Sequence, residues 1–163
     1  MRWSQEAMSE SFFMTNMAPQ VGAGFNRGIW RSLERKMRQW ACERGTLYVV
    51  TGPLYEKRPV EQLEFDGNGD GVDDNGILVD VPSHFYKLAV DPGAMEAIAF
   101  ILENRKAKST QLPQTLTSIR EVEARSGFDF LSGIWDGAEY AIESHVQREL
   151  WEEPKDGRCK GLK

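Results

Sequence analysis

Asn26-Arg27-Gly28-Ile29-Trp30-Arg31-Ser32-Leu33-Glu34-Arg35-Lys36-Met37-Arg38-Gln39-Trp40-Ala41-Cys42-Glu43-Arg44 carries Trp30, Leu33, Met37, Trp40 and Ala41 at three- and four-residue spacing. At about 100° per residue these side chains make one apolar stripe, which predicts an amphipathic helix over residues 26–44 with one buried face. Arg27, Arg31, Glu34 and Arg38 form a second stripe, within about 60° of one another on the same projection. Six basic residues stand against two acidic ones in this stretch. Upstream, Gly22 and Gly24 break any earlier helix and Pro19 marks a turn. Downstream, Gly45 supplies the usual glycine stop.

Beyond Gly45 the pattern changes period. Thr46 to Thr51 is β-branched and aromatic and reads as a core strand ended by Gly52-Pro53. Val60 to Phe65 and Ile77 to Val81 are short strand candidates around an acidic loop. His84 to Val90 and Glu96 to Leu102 are two more, separated by Asp91-Pro92-Gly93. Ser118 and Glu121 make a capping-box pair for a helix of about two turns that Gly127 closes. Ile134 to Leu150 reads as a last helix, with Ile134, Ala138, Ala141 and Ile142 on one face, and a polar tail runs from Glu152 to Lys163. The expectation is an α+β fold, a largely antiparallel central sheet flanked by helices.

The 163 residues, 40% hydrophobic and 28% charged, make up one compact domain. The longest apolar run, Ala97 to Leu102, is far below the roughly 18 residues of a membrane-spanning helix, so no membrane partner is expected. Charge is uneven: residues 1–60 hold 9 basic and 5 acidic residues, residues 61–80 hold none and 7, and residues 81–163 hold 11 and 13. The net charge of −5 therefore argues against a wholly basic nucleic-acid binder but leaves room for a local basic strip that meets phosphates. Cys42 lies in the helical pattern and Cys159 in the polar tail. They read as one buried and one exposed free thiol, since pairing requires the tail to fold back.

Several segments together resemble one family. Arg2-Trp3-Ser4, Ser11 through Gln20 (Ser-Phe-Phe-Met-Thr-Asn-Met-Ala-Pro-Gln), Asn26-x3-Trp30-x2-Leu33-Glu34, Tyr48 through Pro53, Val81 through Lys87, and Ser126-Gly127-Phe128-Asp129-Phe130 are similar, in this order, to the DNA/RNA non-specific endonucleases. The likeness covers residues 2 to 131. It implies a partial nuclease domain over residues 1–131 followed by a C-terminal helix and polar tail over 132–163. It also implies a ββα-metal fold and hydrolysis of phosphodiester bonds in DNA and RNA without strong sequence preference. One divalent cation, usually Mg²⁺, would be held by Asn26 and waters, with Glu34 bonding metal-bound water, Arg38 near the scissile phosphate and Asn16 supporting the site. A hard ion that keeps most of its waters suits such sparse oxygen ligation. A homodimer is compatible with the resemblance. Members are often exported, periplasmic or organellar.

Read without the resemblance, Asn26 is a helix N-cap, Glu34 and Arg38 are a surface ion pair, and Arg27, Arg31 and Arg35 are a solvated face. The family's general base is a histidine in an Asp-Arg-Gly-His motif that would lie upstream of Met1. With it would lie the strands that complete the sheet, so a truncated copy, inactive by itself, is the expectation. The two histidines here, His84 in a strand and His145 in the last helix, read as structural. Asp66-Gly67-Asn68-Gly69-Asp70-Gly71-Val72-Asp73-Asp74-Asn75-Gly76 places the oxygen ligands Asp66, Asn68, Asp70 and Asp74 at calcium-loop spacing with glycine at the sixth position. Ile77 replaces the bidentate Glu, and a solvated hairpin connection is the alternative. Two rival readings of the chain are a binding-only nucleic-acid module and a Ca²⁺-stabilised structural module.

Overall fold

The computed structural model describes residues 17–56, 58–64, 78–133 and 136–154. In chain order the elements are helix Arg31–Arg44 (α1), strands Tyr48–Leu54 (β1), Glu61–Glu64 (β2), Leu78–Val81 (β3), His84–Asp91 (β4), Glu96–Glu103 (β5) and Leu116–Thr117 (β6), and helices Ile119–Ser126 (α2) and Asp136–Ser144 (α3). Four strands form one antiparallel sheet in the order β1-β4-β5-β6, and β2 pairs antiparallel with β3 in a separate ribbon. The α+β class and the antiparallel sheet expected from sequence are what the molecule has.

Period-two alternation in β4 and β5 divides the core into two layers. Phe85, Ala89, Ile98, Phe100 and Leu102 face α1, where they meet Phe25, Ile29, Trp30, Leu33, Met37 and Trp40. Tyr86, Leu88, Val90, Ala97 and Ala99 face the other way, toward Ile119 and Val122 of α2 and Ile142 of α3. Helices thus cover both faces, which is why β4 is buried from Phe85 to Asp91. Ser118 caps α2 as its sequence suggests, its hydroxyl accepting the Glu121 N–H at 3.1 Å, and Gly127 ends that helix at φ 77°.

Four expectations need correction. The regular α-helix begins at Arg31; the stretch expected to be helical from Asn26 lies in a π-helical segment, Gly22–Trp30, that runs directly into α1 and is interrupted by non-helical backbone at Ala23, Gly24 and Gly28, of which only Gly28 falls within the expected helix. β1 runs through Gly52-Pro53 instead of stopping there, and it is an edge strand rather than a core one. Proline is tolerated on an edge, and Gly52 is required because a Cβ there would lie 2.4 Å from the Tyr86 hydroxyl. The last helix ends at Ser144, after which the chain turns to bury Trp151 against Trp40 at 5.6 Å between ring centroids, with the Trp40 indole N–H donating to the Trp151 carbonyl at 2.9 Å. Cys42 lies about 200° around the helix from buried Trp40 and is exposed and disulfide-bonded, not a buried free thiol. Cys159 lies outside the described residues.

Candidate metal and phosphate site

The site is built on the lead-in to α1. Asn104, at the end of β5, accepts the Val21 N–H at 2.9 Å and donates to the carbonyls of Pro19 at 3.1 Å and Pro82 at 2.9 Å. This clips residues 19–21 to the start of β4. Gly24, at φ 86°, lets the chain pass Lys106, whose Cγ would lie 2.3 Å from any Cβ. Phe25, Trp30 and Phe85 then lock together, each pair of rings 5.6 Å apart. Between Phe25 and Trp30 sits Asn26.

Both backbone groups of Asn26 are committed: its N–H donates to the Val21 carbonyl at 3.0 Å, and its carbonyl accepts the Arg31 N–H. Its side chain is exposed and caps nothing, so the N-cap reading does not describe it. A fixed backbone with an amide side chain that makes no hydrogen bond among the described residues is the arrangement a ligand needs. Glu34 and Arg38 occupy adjacent turns of α1 and are not within ion-pair distance of each other, so the bland surface-pair reading does not describe them either.

Beneath them lies a residue that the sequence reading passed over. Lys87 projects from β4 toward α1, buried, with its ammonium donating to the Thr51 hydroxyl at 2.7 Å and lying 4.6 Å from the centroid of the Trp30 ring. Burial pulls its pKa below the usual lysine value, the Glu34 carboxylate pushes it back up, and the Arg38 guanidinium lowers it. Glu34, Arg38 and Lys87 therefore share one electrostatic neighbourhood. The signal was present in the sequence, as a single lysine inside an otherwise apolar strand run.

Arg38 also lines an open groove of about 1030 Å³ between α1 and residues 107–110, with Arg27, Arg31 and Arg35. Asn16 and the acidic loop 66–76 lie outside the described residues. β2 and β3, on either side of that loop, form an antiparallel pair.

Neither histidine stands beside Asn26. His84 shares the sheet face of Tyr86, away from α1, and its Nδ1 is 3.0 Å from the Glu56 carboxylate, which also binds Arg125. His145 borders a depression with Glu43 and Arg44, at the far end of α1, roughly 20 Å along the helix from Arg31. A cluster of three carboxylates, Glu123, Asp129 and Glu143, has ligand atoms within 4.8 Å of one another. It sits on α2, α3 and the loop between them, across the sheet from Asn26. Burial and the Glu123, Glu139 and Asp129 carboxylates push the Glu143 pKa up to about 7.

Residues 1–137 match the family model for DNA/RNA non-specific endonucleases. Among curated proteins, the chain is 33% identical over 156 residues to a Schizosaccharomyces pombe protein named Nuclease 1, mitochondrial, covering 91% of this chain and 48% of that protein. It is 35% identical over 139 residues to Endonuclease G, mitochondrial, of Caenorhabditis elegans, covering 80% and 43%. It is 31% identical over 141 residues to Endonuclease G, mitochondrial, of Homo sapiens, covering 82% and 45%. The chain spans about half the length of these relatives.

Proposed function

The chain belongs to the DNA/RNA non-specific endonuclease family, and on that premise we propose that it carries the metal- and phosphate-binding half of a Mg²⁺-dependent endonuclease acting on DNA and RNA. The observation that supports this reading most is Asn26: backbone held on both sides, side chain exposed and unused by the helix.

The donors suit a hard cation. Asn26 offers an amide oxygen and Glu34 a carboxylate, few enough that Mg²⁺ would keep most of its waters. Such an ion, when bound, supplies Lewis-acid stabilisation of the oxygens around the scissile phosphorus. Asn26 would be its direct ligand, and Glu34 would accept hydrogen bonds from its water shell. Arg38 would orient a phosphate oxygen. Lys87, under Glu34, would set the charge balance of the pair and hold the carboxylate's side of the site rigid through Thr51 and Trp30.

Hydrolysis also needs a base within hydrogen-bond reach of the attacking water. His84 and His145, the only two histidines, are held across the sheet and at the far end of α1 respectively. The 163-residue chain by itself is therefore expected to cleave poorly, by about 10²- to 10⁴-fold relative to a protein that presents an Asp-Arg-Gly-His histidine to this face. The test is plasmid cleavage with Mg²⁺ by the purified chain, free of host nuclease. Robust cleavage that survives both His84→Ala and His145→Ala overturns this account of the base. A second reading, nucleic-acid binding without hydrolysis, is favoured by the arginine-lined groove and is distinguished by whether an added Asp-Arg-Gly-His segment restores cleavage.

A further inference from the structure

The chain after α3 returns to the C-terminal half of α1. Residues 145–154 form no helix or strand, yet they touch three successive turns of that helix. The Arg44 guanidinium lies 3.9 Å from the centroid of the Trp151 ring, the Trp40 indole N–H donates to the Trp151 carbonyl at 2.9 Å, and Lys36 pairs with Glu153. The segment is thus a strap that runs antiparallel to α1. Its seat is imperfect. The Nε1 of Trp151 and the Oε1 of Gln39 are both buried without a hydrogen-bond partner among the described residues, and Arg44 is shared with Asp91 and Glu96. Each orphaned polar atom would regain a bond to water if the strap lifted, so burial of the Trp151 ring is opposed at its own edge.

We propose that a disulfide between Cys42 and Cys159 is the latch that keeps this strap seated, and that reduction of the bond releases Trp151 from Trp40. Cys42, exposed and two positions from Trp40, is disulfide-bonded, and the chain holds one other cysteine. In sequence the pairing is remote because the tail has to fold back; the strap performs that return. From Glu153, held at Lys36, six residues of chain reach about 20 Å when extended. Cys42 stands roughly 9 Å from Lys36 along the axis of α1. The bond therefore lies within the span of chain left once the strap is in place. It also fixes the strap from beyond its last contact, so that Trp151 is held between two anchors. One is the cysteine pair, and the other is the Ala97 carbonyl, to which the Gln147 amide donates at 3.1 Å.

The chemistry is thiol–disulfide exchange with a dithiol reductant. A thiolate of the dithiol attacks one sulfur of the pair, forming a mixed disulfide and expelling the other cysteine as thiolate; the second thiol then displaces the first cysteine. The reductant leaves as its own disulfide, and its two electrons and two protons end on Cys42 and Cys159. Closure is the reverse, with a disulfide oxidant such as oxidised glutathione taking the same two electrons. The exposure of Cys42 gives the attacking thiolate access. Cross-linking positions more than about 100 residues apart restricts the unfolded chain strongly. The strap's own contacts with α1, an indole bond, a part-exposed ion pair and a stacked guanidinium, must by contrast carry two orphaned polar atoms. Without the bond the strap belongs to the low-stability end of the molecule, the part that opens first. No metal or nucleic acid enters this device, which stands or falls apart from the nuclease reading.

The full chain, alkylated before unfolding and digested with trypsin without reductant, should yield the peptide Gln39 to Arg44 joined to Cys159-Lys160, and reduction should split the two. Two alkylated thiols in protein already incubated with oxidised glutathione overturn the proposal, as does a link between two copies. Opening is read next. After native reduction with dithiothreitol, alkylation and desalting, chymotrypsin should cut after Trp151 at least about ten-fold faster than in the oxidised chain, well below the melting temperature, while α1 itself stays resistant. The melting temperature should fall by about 5–15 °C. Cys42→Ser and Cys159→Ser, singly, should each behave like the reduced parent and ignore the reductant. Reduction acts on the folded parent, so the outcome does not hang on either variant folding. Trp151 still protected once the bond is cut means a structural cross-link with no latch, and overturns the proposal; a strap cut as readily with the bond intact does the same.

Discussion

The ammonium of Lys87 and the hydroxyl of Thr51 meet at 2.7 Å across the β1–β4 pairing, directly opposite one another in register, under the helix that carries Glu34 and Arg38. A buried lysine donates three hydrogen bonds at most and resists burial when it finds fewer. Here one bond goes to Thr51 and the ring face of Trp30 supplies a further attraction. The strand thus holds a positive charge where packing alone would favour an aliphatic side chain, and the charge lies beside the two residues assigned to phosphate chemistry.

Lys87→Met should therefore leave the fold intact and raise the melting temperature near pH 7, by roughly 2–4 °C for each kcal/mol of burial cost relieved. The sign follows from the depressed lysine pKa. The unfolded state holds the proton more tightly, so the cost is fully present at neutral pH and shrinks as pH rises through the folded value. The gain from Lys87→Met should accordingly be smaller near pH 10.5 than near pH 7. A gain that does not change with pH would show that Lys87 is not charged at this position.

Gly52→Ala should destabilise by about 1–3 kcal/mol, the usual cost of forcing a methyl group into filled space. The Tyr86 ring, with three atoms between 2.4 and 2.6 Å from the new Cβ, cannot move away because it is itself packed on Phe130 at 5.6 Å. Urea denaturation of the double variant with Tyr86→Leu should show less than the sum of the single losses. Additivity would mean that the strand, not the ring, gives way.

How much of this was legible beforehand depended on whether the decisive contact is local. The stripe of Trp30, Leu33, Met37 and Trp40 is local, and so are the Ser118 cap and the Gly127 stop; all three are where the sequence placed them. The start of α1 is not local. The segment that leads into it is tied to residues some eighty positions away, with Asn104 bonded to Pro19 and Val21 and Lys106 packed against Gly24, and it takes a π-helical rather than a regular α-helical form. Gly52-Pro53 reads as a stop in sequence because its tolerance depends on β1 having a single neighbour. Lys87 and the ion pairing of the arginines are likewise matters of tertiary placement. Asn26 was legible only through resemblance, and its uncommitted side chain needed coordinates.

Glu143 should make the chain less stable as the solution turns alkaline. Its folded pKa of about 7 lies above the ordinary 4.5. Between those values the folded state binds more protons, so stability is lost as pH rises through them. Glu143→Gln should melt higher than the parent near about pH 8, and the difference should narrow as pH falls toward the unfolded value. If the two proteins lose stability in parallel across this range, Glu123, Glu139 and Asp129 do not crowd the carboxylate as the structure places them.

Calcium at about millimolar concentration should raise the melting temperature if the Asp66, Asn68, Asp70 and Asp74 loop binds it, through preference for the folded state. Asp66→Ala with Asp70→Ala should abolish the increment, whereas Glu143→Gln should not. The contrast matters because two acidic groups compete for the explanation. An increment lost with Glu143→Gln and kept without Asp66 and Asp70 would assign the ion to the cluster across the sheet.

Once an upstream segment carrying Asp-Arg-Gly-His from a relative is fused to the chain, single-turnover cleavage at saturating Mg²⁺ should depend on Asn26 most, Glu34 next and Arg38 least. Asn26 differs from the other two in standing ahead of the regular α-helix, where its N–H is held by the Val21 carbonyl and its carbonyl by the Arg31 N–H. Its loss removes the one direct protein ligand and should cost more than about 100-fold. Glu34→Gln keeps the shape and alters only the hydrogen bonding of the water shell, for which about 10- to 100-fold is typical. Arg38 shares its groove with Arg31 and Arg35, neither of them ion-paired among the described residues. Their field persists when Arg38 is removed, so its loss should fall below the roughly 100-fold that a sole donor to a developing charge carries. Equal rates for Asn26→Ala and the fused parent would mean that the exposed amide binds nothing, and the assignment of the metal to the head of α1 would have to be withdrawn.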